Sequence, residues 1–249
     1  MPYAILRTAK LKTAGNIGGL NDHLHRLRET PNADQELTHQ NQQLRGSTDL
    51  LADVQARLDA AGCTVRKNAV LAVEHILTVS PEFLNFHKGE KEGRPVLLGG
   101  ATDRERLSGF RDRALEWVDE RYGKDNVVSA VLHLDEKTPH LHIVVVPVDE
   151  RGKLNCRSYL GGKDKMRAMQ TSFAEKMEPL GLVRGVEGSK SQHQTIQRFY
   201  GLVKELTPGL EKEAQTQQQA QANQVVQERI SQANQTKSKG VSRGGGYGM

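Results

Sequence analysis

The sequence predicts an α+β fold: a central antiparallel sheet packed by helices, followed by a helical or disordered C-terminal tail. Three observations carry this expectation. Two apolar, β-branched runs at 127–132 and 143–146 flank a short polar connection containing Pro139, the pattern of two antiparallel neighbours. Strand-like runs elsewhere are interleaved with amphipathic helical stretches, which supply the helices that cover the sheet. Beyond about residue 206 the composition shifts to Gln, Ala and Asn, with few large apolar groups to bury.

Each element has its own signal. Tyr3-Ala4-Ile5-Leu6-Arg7-Thr8-Ala9-Lys10-Leu11 predicts a first strand. Gly15, Gly18 and Gly19 loosen the backbone before a short helical run over 20–27, and Thr30-Pro31-Asn32-Ala33-Asp34 makes a turn-rich segment. Ser47 or Thr48 caps a helix with Leu50, Leu51, Val54, Leu58 and Ala61 on one face. Residues 67–79 contain Ala69-Val70-Leu71-Ala72-Val73, a buried-strand candidate stopped by Ser80-Pro81. Thr102 or Asp103 starts a long amphipathic helix through Leu107, Phe110, Leu115 and Val118 to Tyr122-Gly123. The paired strands follow, Asp149-Glu150-Arg151-Gly152 turns the chain, and further helices are expected over 163–180 and 192–206. The chain thus divides into a domain over 1–206 and a Gln-rich, mostly solvated tail over 207–249. In the tail, Ala222, Val226, Ile230 and Ala233 fall at helical spacing. So little can be buried there that a solvated single helix or disorder is expected, a weak stripe for self-association being the alternative.

At 249 residues the chain can bury one good core. Two cysteines, Cys63 and Cys156, give no disulfide framework, which fits a reducing cytoplasm. No 18-residue apolar run exists, and the N-terminus lacks the apolar core of a signal peptide. The formal charge is +5, and residues 151–200 hold ten Lys/Arg against four Asp/Glu. Charge alone is equally consistent with a solvated helix face; beside a metal site it favours a phosphate-bearing polymer as partner.

His133-Leu134-Asp135-Glu136-Lys137-Thr138-Pro139-His140-Leu141-His142 places three imidazoles and two carboxylates within ten residues. Side chains alternate along a strand, so His140 and His142 share a face that His133, near the end of the partner strand, can reach. A lone strand histidine is usually structural, but three at this spacing predict a divalent-metal site with Glu136 as ligand or support. The helical His-Glu-x-x-His pattern of metalloproteases is absent, and neither cysteine is near in sequence. Imidazoles with a carboxylate suit manganese, zinc, nickel or cobalt better than magnesium alone.

A second constellation is Asn21-Asp22-His23-Leu24-His25-Arg26. His23 and Arg26, three apart, are expected on one helix face, with His25 pointing elsewhere. A neutral imidazole can act as nucleophile and a guanidinium can neutralise a phosphate, but spacing alone favours an exposed His and Arg on a surface helix.

These residues carry a resemblance over approximately 1–200 to the MobV-type plasmid mobilisation relaxases, also called Pre/Mob enzymes. That family belongs to the His-hydrophobic-His class of single-strand endonucleases. His140-Leu141-His142 is similar to the class signature, and 133–142 to the family's third motif over nearly its whole length. Tyr3-Ala4-Ile5 with the Lys-rich strand, the 15–19 turn, His23-x-x-Arg26 and Arg28-Glu29-Thr30 resemble the start of the family domain. Asn41-x-x-Leu44 resembles the second motif, and Arg66-Lys67-x-Ala69-Val70 the approach to the next strand. Arg184-Gly185, Ser189-Lys190, His193 and Phe199-Tyr200 resemble the end of the catalytic domain. Family members commonly carry a longer C-terminal region than the Gln-rich tail present here.

The resemblance implies metal-dependent, site-specific nicking of plasmid transfer-origin DNA, single-stranded or hairpin, followed by rejoining. His133, His140 and His142 would hold the metal, most naturally Mn2+, with Mg2+ or another transition metal as alternatives, and Glu136 would ligate or orient it. His23 would attack to give a 5′-phosphoramidate, Arg26 would position the phosphate, and Asp135 would support a ligating imidazole. DNA contacts are expected from Arg7, Lys10, Lys12, Arg28, Asn41, Lys153, Arg184, Lys190 and His193. Conjugative coupling protein and secretion machinery would be further partners. One rival reading is a rolling-circle replication initiator using a tyrosine, for which Tyr3, Tyr122, Tyr159 and Tyr200 are available. The other is a non-enzymatic DNA-binding protein with a structural metal.

Overall fold

The computed structural model describes residues 1–91 and 94–185, and its architecture is the predicted α+β arrangement. Eight strands are present among these residues: β1 Tyr3–Leu11, β2 Gln42–Arg45, β3 Ala72–Val79, β4 His87–Lys91, β5 Arg94–Leu98, β6 Val127–His133, β7 His140–Val145 and β8 Val183–Arg184. Six form the main sheet in the order β2-β6-β7-β3-β1-β8, and β4 with β5 makes a separate hairpin. Every pair in the main sheet is antiparallel except β1 with β8. The helices are α1 Ala14–Leu24, α2 Leu50–Ala60, α3 Ala101–Tyr122, α4 Cys156–Leu160 and α5 Lys163–Met177.

Alternation along the strands divides the core into two layers. Ala4 and Leu6 of β1, Leu77 of β3 and Leu141 of β7 pack with Phe110, Ala114, Trp117 and Val118 of α3 and Met169, Phe173 and Met177 of α5. The opposite face, through Leu11, Val131 and Val144, packs with Ile17, Leu20 and Leu24 of α1 and Leu50, Val54 and Leu58 of α2. Central β6 is buried along all seven residues, which explains its run of small and β-branched side chains.

The long helix and the β6–β7 pair match expectation, and α5 with a following 3-10 turn at Glu178–Leu180 fills 163–180. Three boundaries differ. The glycines at 15, 18 and 19 lie inside α1, which starts at the Thr13 cap and ends before the predicted 27. Burial of Ile17, Leu20 and Leu24 outweighs a cost of about 1 kcal/mol per glycine. The cap of α2 is Asp49, not Ser47 or Thr48; the Ser47 hydroxyl donates to Asp53 instead. Strand β3 begins at Ala72 rather than near 69, and its polar Glu74 and His75 are buried. The short strands β2, β4, β5 and β8, and helix α4, were not anticipated. The expected helix over 192–206 and the tail lie outside the described residues, as does the boundary at 206.

Candidate active site with four converging imidazoles

The register of the two central strands sets the site. His133 pairs across from His140, and His142 lies two residues further along β7, so all three project toward the α1 layer. Their ring centroids are 5.2 Å (His133–His140), 4.8 Å (His133–His142) and 4.9 Å (His140–His142) apart. His23, in the last turn of α1, closes over them at 5.4 Å from His133 and 5.0 Å from His142. One ligand atom from each of His23, His133 and His142 lies within 4.8 Å of the others, and the same holds for His133, Glu136 and His140.

Each strand histidine is oriented through one ring nitrogen. His133 Nε2–H donates to the Leu24 carbonyl at 3.0 Å, and His140 Nδ1–H donates to the Thr138 carbonyl at 3.0 Å. His142 Nδ1–H donates to Glu74 Oε1 at 2.6 Å. All three partners are acceptors, which assigns the tautomers and leaves lone pairs on His133 Nδ1, His140 Nε2 and His142 Nε2. His133 Nδ1 and His142 Nε2 are buried without a hydrogen-bond partner. Buried polar atoms are rarely left so, and a metal ion would satisfy both. Glu136 Oε1 stands 3.9 Å from His133 Nδ1 and 3.8 Å from His140 Nε2, close enough to join or support such an ion. The donor set therefore fits a divalent metal bound by imidazole with carboxylate support.

Burial and neighbouring charge keep His133 and His142 neutral. Burial, then the charges of His142 and Arg26, lowers His133 to about 2; burial, then His140 and His23, lowers His142 well below the ordinary value. Burial and the neighbouring Arg26 lower His23 to about 4, so its ring nitrogens stay uncharged at neutral pH. Burial pushes Glu74 up to about 7, opposed by His23 and His140.

Arg26 does not share a helix face with His23. It lies past the end of α1 with φ 54, the one positive φ at a non-glycine among the described residues. That conformation is unfavourable for a long side chain and is held by the contacts the guanidinium makes. Nε and Nη2 donate to the two oxygens of Asp135 at 2.9 and 2.6 Å, Nη2 reaches Glu136 at 2.9 Å, and Nη1 donates to the His23 carbonyl at 3.1 Å. The expected phosphate clamp is thus a buried brace linking the His23 helix end to the loop of Glu136. Asp135 likewise accepts no hydrogen bond from an imidazole among the described residues: it accepts from Arg26, Thr38 Oγ1 and Asn41 Nδ2. The carboxylate that orients a candidate metal-binding histidine is Glu74. Arg26→Ala would leave Asp135 buried with its charge uncompensated. It is expected to destabilise the protein by about 3–5 kcal/mol, read from denaturant unfolding; a loss under 1 kcal/mol would contradict the brace.

The residues expected to contact DNA separate into distinct places. Arg7 is on the histidine face, in the row Val131–His142–Ile76–Arg7 across the sheet, and Arg28 is exposed just beyond Arg26. Asn41 donates to Asp135 at 2.7 Å and accepts from Leu134 N–H at 2.7 Å, so it braces the loop, and it also lines a small pocket with Arg26 and Thr38. Lys10, Lys12 and Arg184 line a groove on the opposite face, and exposed Lys153 lies beyond the far end of β7. Lys190 and His193 lie outside the described residues. Glu74, Asn32 and Thr38 were missed. Asn32 Nδ2 donates to Glu136, and a lone Glu inside the apolar run Ala72–Leu77 was the available signal for Glu74.

A sheet whose central strands present three metal-type histidines, with a fourth imidazole from the facing helix, defines an α+β domain with a candidate metal centre. Comparison with known proteins narrows it. The chain belongs to the plasmid recombination enzyme family, whose model matches residues 1–96 and 100–201. It is 41% identical over 204 residues to the 65 kDa protein of Zymomonas mobilis, covering 80% of this chain and 32% of that protein. It is 28% identical to plasmid recombination enzyme type 3 of Staphylococcus aureus, covering 80% and 48% respectively. The chain therefore spans less than half the length of these relatives. Among solved structures, it is similar to the MobM relaxase domain bound to pMV158 oriT DNA in a Mn-bound crystal structure. That match has a TM-score of 0.65 and 26% identity, and covers 80% of this chain and 99% of that one. No described helix is long and apolar enough to cross a membrane.

Proposed function

We propose that this chain is a plasmid mobilisation relaxase that nicks transfer-origin DNA at one strand and site, using His23 as nucleophile. The observation that carries this reading is His23 itself: a neutral imidazole 5.0–5.4 Å, ring to ring, from two histidines that retain buried, unused lone pairs. His133, His140 and His142 would hold the metal, with Glu136 at its edge. When bound, a divalent ion, of which manganese suits these donors, neutralises and polarises the scissile phosphate. His23 contributes an uncharged ring nitrogen, kept so by burial and Arg26. In the step a nitrogen–phosphorus bond forms, the bond to the 3′-oxygen breaks with its electron pair, and that oxygen takes a proton. The retained phosphoryl link then allows the 3′-hydroxyl to reseal the strand by the reverse step. Arg26 acts as a positioning residue, tying the backbone of His23 to Glu136.

Of the tyrosines available to a rival nucleophile, Tyr122 is buried on the opposite face against Met169, and Tyr159 donates its hydroxyl to Val148. Tyr3 lies at the start of β1, two strands from His140. The domain over 1–206, the separate tail with its self-association stripe, and contacts with a coupling protein and secretion machinery belong to the same proposal. Conversion of supercoiled origin plasmid to the open form with manganese, and not after chelation, tests it; uncut DNA with manganese present favours mere binding.

Glu74 gives a narrower test. Glu74→Ala removes the acceptor that fixes the His142 tautomer and is expected to weaken manganese affinity about 10- to 100-fold by calorimetric titration. Affinity within twofold of the parent would show that the Glu74 contact is dispensable.

A further inference from the structure

The strand β1 borders two surfaces of opposite orientation. Its odd residues Ile5, Arg7 and Ala9 face the histidine side, and its even residues Thr8 and Lys10 face the α5 side, where the Thr8 hydroxyl meets buried His75 at 3.2 Å. On the α5 side lies a groove of about 870 Å³ lined by Thr8, Leu160, Gly162, Met166 and Gln170 together with Lys10, Lys12, Lys163, Arg167 and Arg184. Five of these ten residues are cationic and none is a carboxylate. The first turn of the 15-residue helix α5 opens onto the same groove; its Gly162 cap offers no side-chain acceptor, so helix N–H groups add to the positive field, offset in part by exposed Asp164 in the same turn. Leu160 and Met166 supply apolar surface beside the cations.

We propose that this reverse-face groove holds the sugar-phosphate backbone of the DNA flanking the scissile site. The proposal rests on the nicking function argued above and adds a second contact surface to it. β8 pairs with β1 only at Tyr3 and Ala4, so from Ile5 onward that edge of β1 carries no neighbouring strand among the described residues. A strand anchored at the histidines therefore meets a low, open edge with Arg7 on the near side and Thr8 and Lys10 on the far side. From His140 to the β8 edge is three inter-strand spacings, about 14 Å. Arg184 is level with Ala4 at the histidine end of the sheet, and Lys12 lies eight residues further along, about 26 Å away at roughly 3.3 Å per residue. One strand of a duplex presents about eight phosphates over that length. An acidic peptide is the competing occupant, but it would have no reason to continue toward the histidine face.

The double variant K163E/R167E tests this, since both side chains are exposed on α5 and their exchange leaves the core untouched. Its affinity for origin DNA is measured by fluorescence anisotropy across a salt series, with an intact hairpin and with a stem-scrambled single strand of equal length. We expect at least tenfold weaker binding near physiological salt and a salt slope shallower by about two. Loss confined to the hairpin identifies duplex backbone as the occupant, and loss with both identifies single-stranded backbone. As a second measurement on the unaltered protein, DNA should protect Lys10, Lys12 and Lys163 from acetylation. Parental affinity and slope in the variant, with the parent binding and nicking normally, would refute the groove while leaving the nicking function intact and would favour the acidic peptide. Absence of both binding and nicking in the parent would refute both.

Discussion

Replacing His23 by alanine is expected to abolish the covalent protein–DNA adduct, a loss of at least about a thousandfold in nicking, while leaving DNA binding measurable. The expectation follows from placement. His23 is held over His133 and His142 by the last turn of α1, yet its backbone carbonyl and ring edge are the parts gripped by Arg26. Truncating the ring would remove the proposed nucleophile and its contact with Arg26 while leaving the strand histidines and the Arg26–Asp135 pair in place. The pH profile carries an independent signature. With His23 lowered to about 4 by burial and Arg26, its protonation does not reduce the rate until the pH falls toward 4; below that the loss approaches tenfold per unit. A histidine at the ordinary value of about 6.5 would begin to lose activity two to three units higher. An adduct formed at the parental rate by His23→Ala would refute the assignment.

His142→Ala is expected to have an effect of similar size by a different route. It deletes one of three imidazoles bearing free lone pairs and leaves Glu74, itself buried in β3, without its hydrogen-bond partner. Manganese affinity should fall by more than about a hundredfold, since removal of a ligand should exceed the 10- to 100-fold cost of losing an outer partner. Nicking should fall with it, and raising manganese should recover little. Stability should drop also, because the buried carboxylate of Glu74 is left unsatisfied. Manganese affinity equal to the parent, measured by titration calorimetry, would place the ion elsewhere.

The two strands that carry the site were legible because their signals are local. Apolar runs bounded by a polar connection containing Pro139 gave the β6–β7 pair, and strand alternation alone put His133, His140 and His142 on one face. The helix of Phe110 and Val118 was equally plain from its 3.6-residue period. What escaped the sequence depends on distant pairing. Glu74 reaches His142 only because β3 lies beside β7, a neighbour far away in the chain, and the edge strands β2 and β8 are too short to carry a pattern. Arg26 was placed on the wrong structural footing for a related reason. Its left-handed backbone is stabilised by Asp135, more than a hundred residues later, and no local rule anticipates an arginine there. The sequence also grouped Arg7 with Lys10 and Lys12, although alternation along β1 sends them to opposite faces. The reading of His23 as nucleophile came from family resemblance; the geometry adds that it is half-buried, held neutral and adjacent to the rings of His133 and His142.

In the proposed function the bond to DNA is made by His23 of α1, and the histidines of β6 and β7 make no covalent bond to it. Mass spectrometry of the protease-digested covalent adduct, formed on origin DNA with manganese, tests this most directly. The predicted result is a nucleotide-bearing peptide containing His23, with the modification on that imidazole and a link that is labile in acid and stable in alkali. A nucleotide attached to Tyr3 or any other tyrosine, stable in acid, would contradict it.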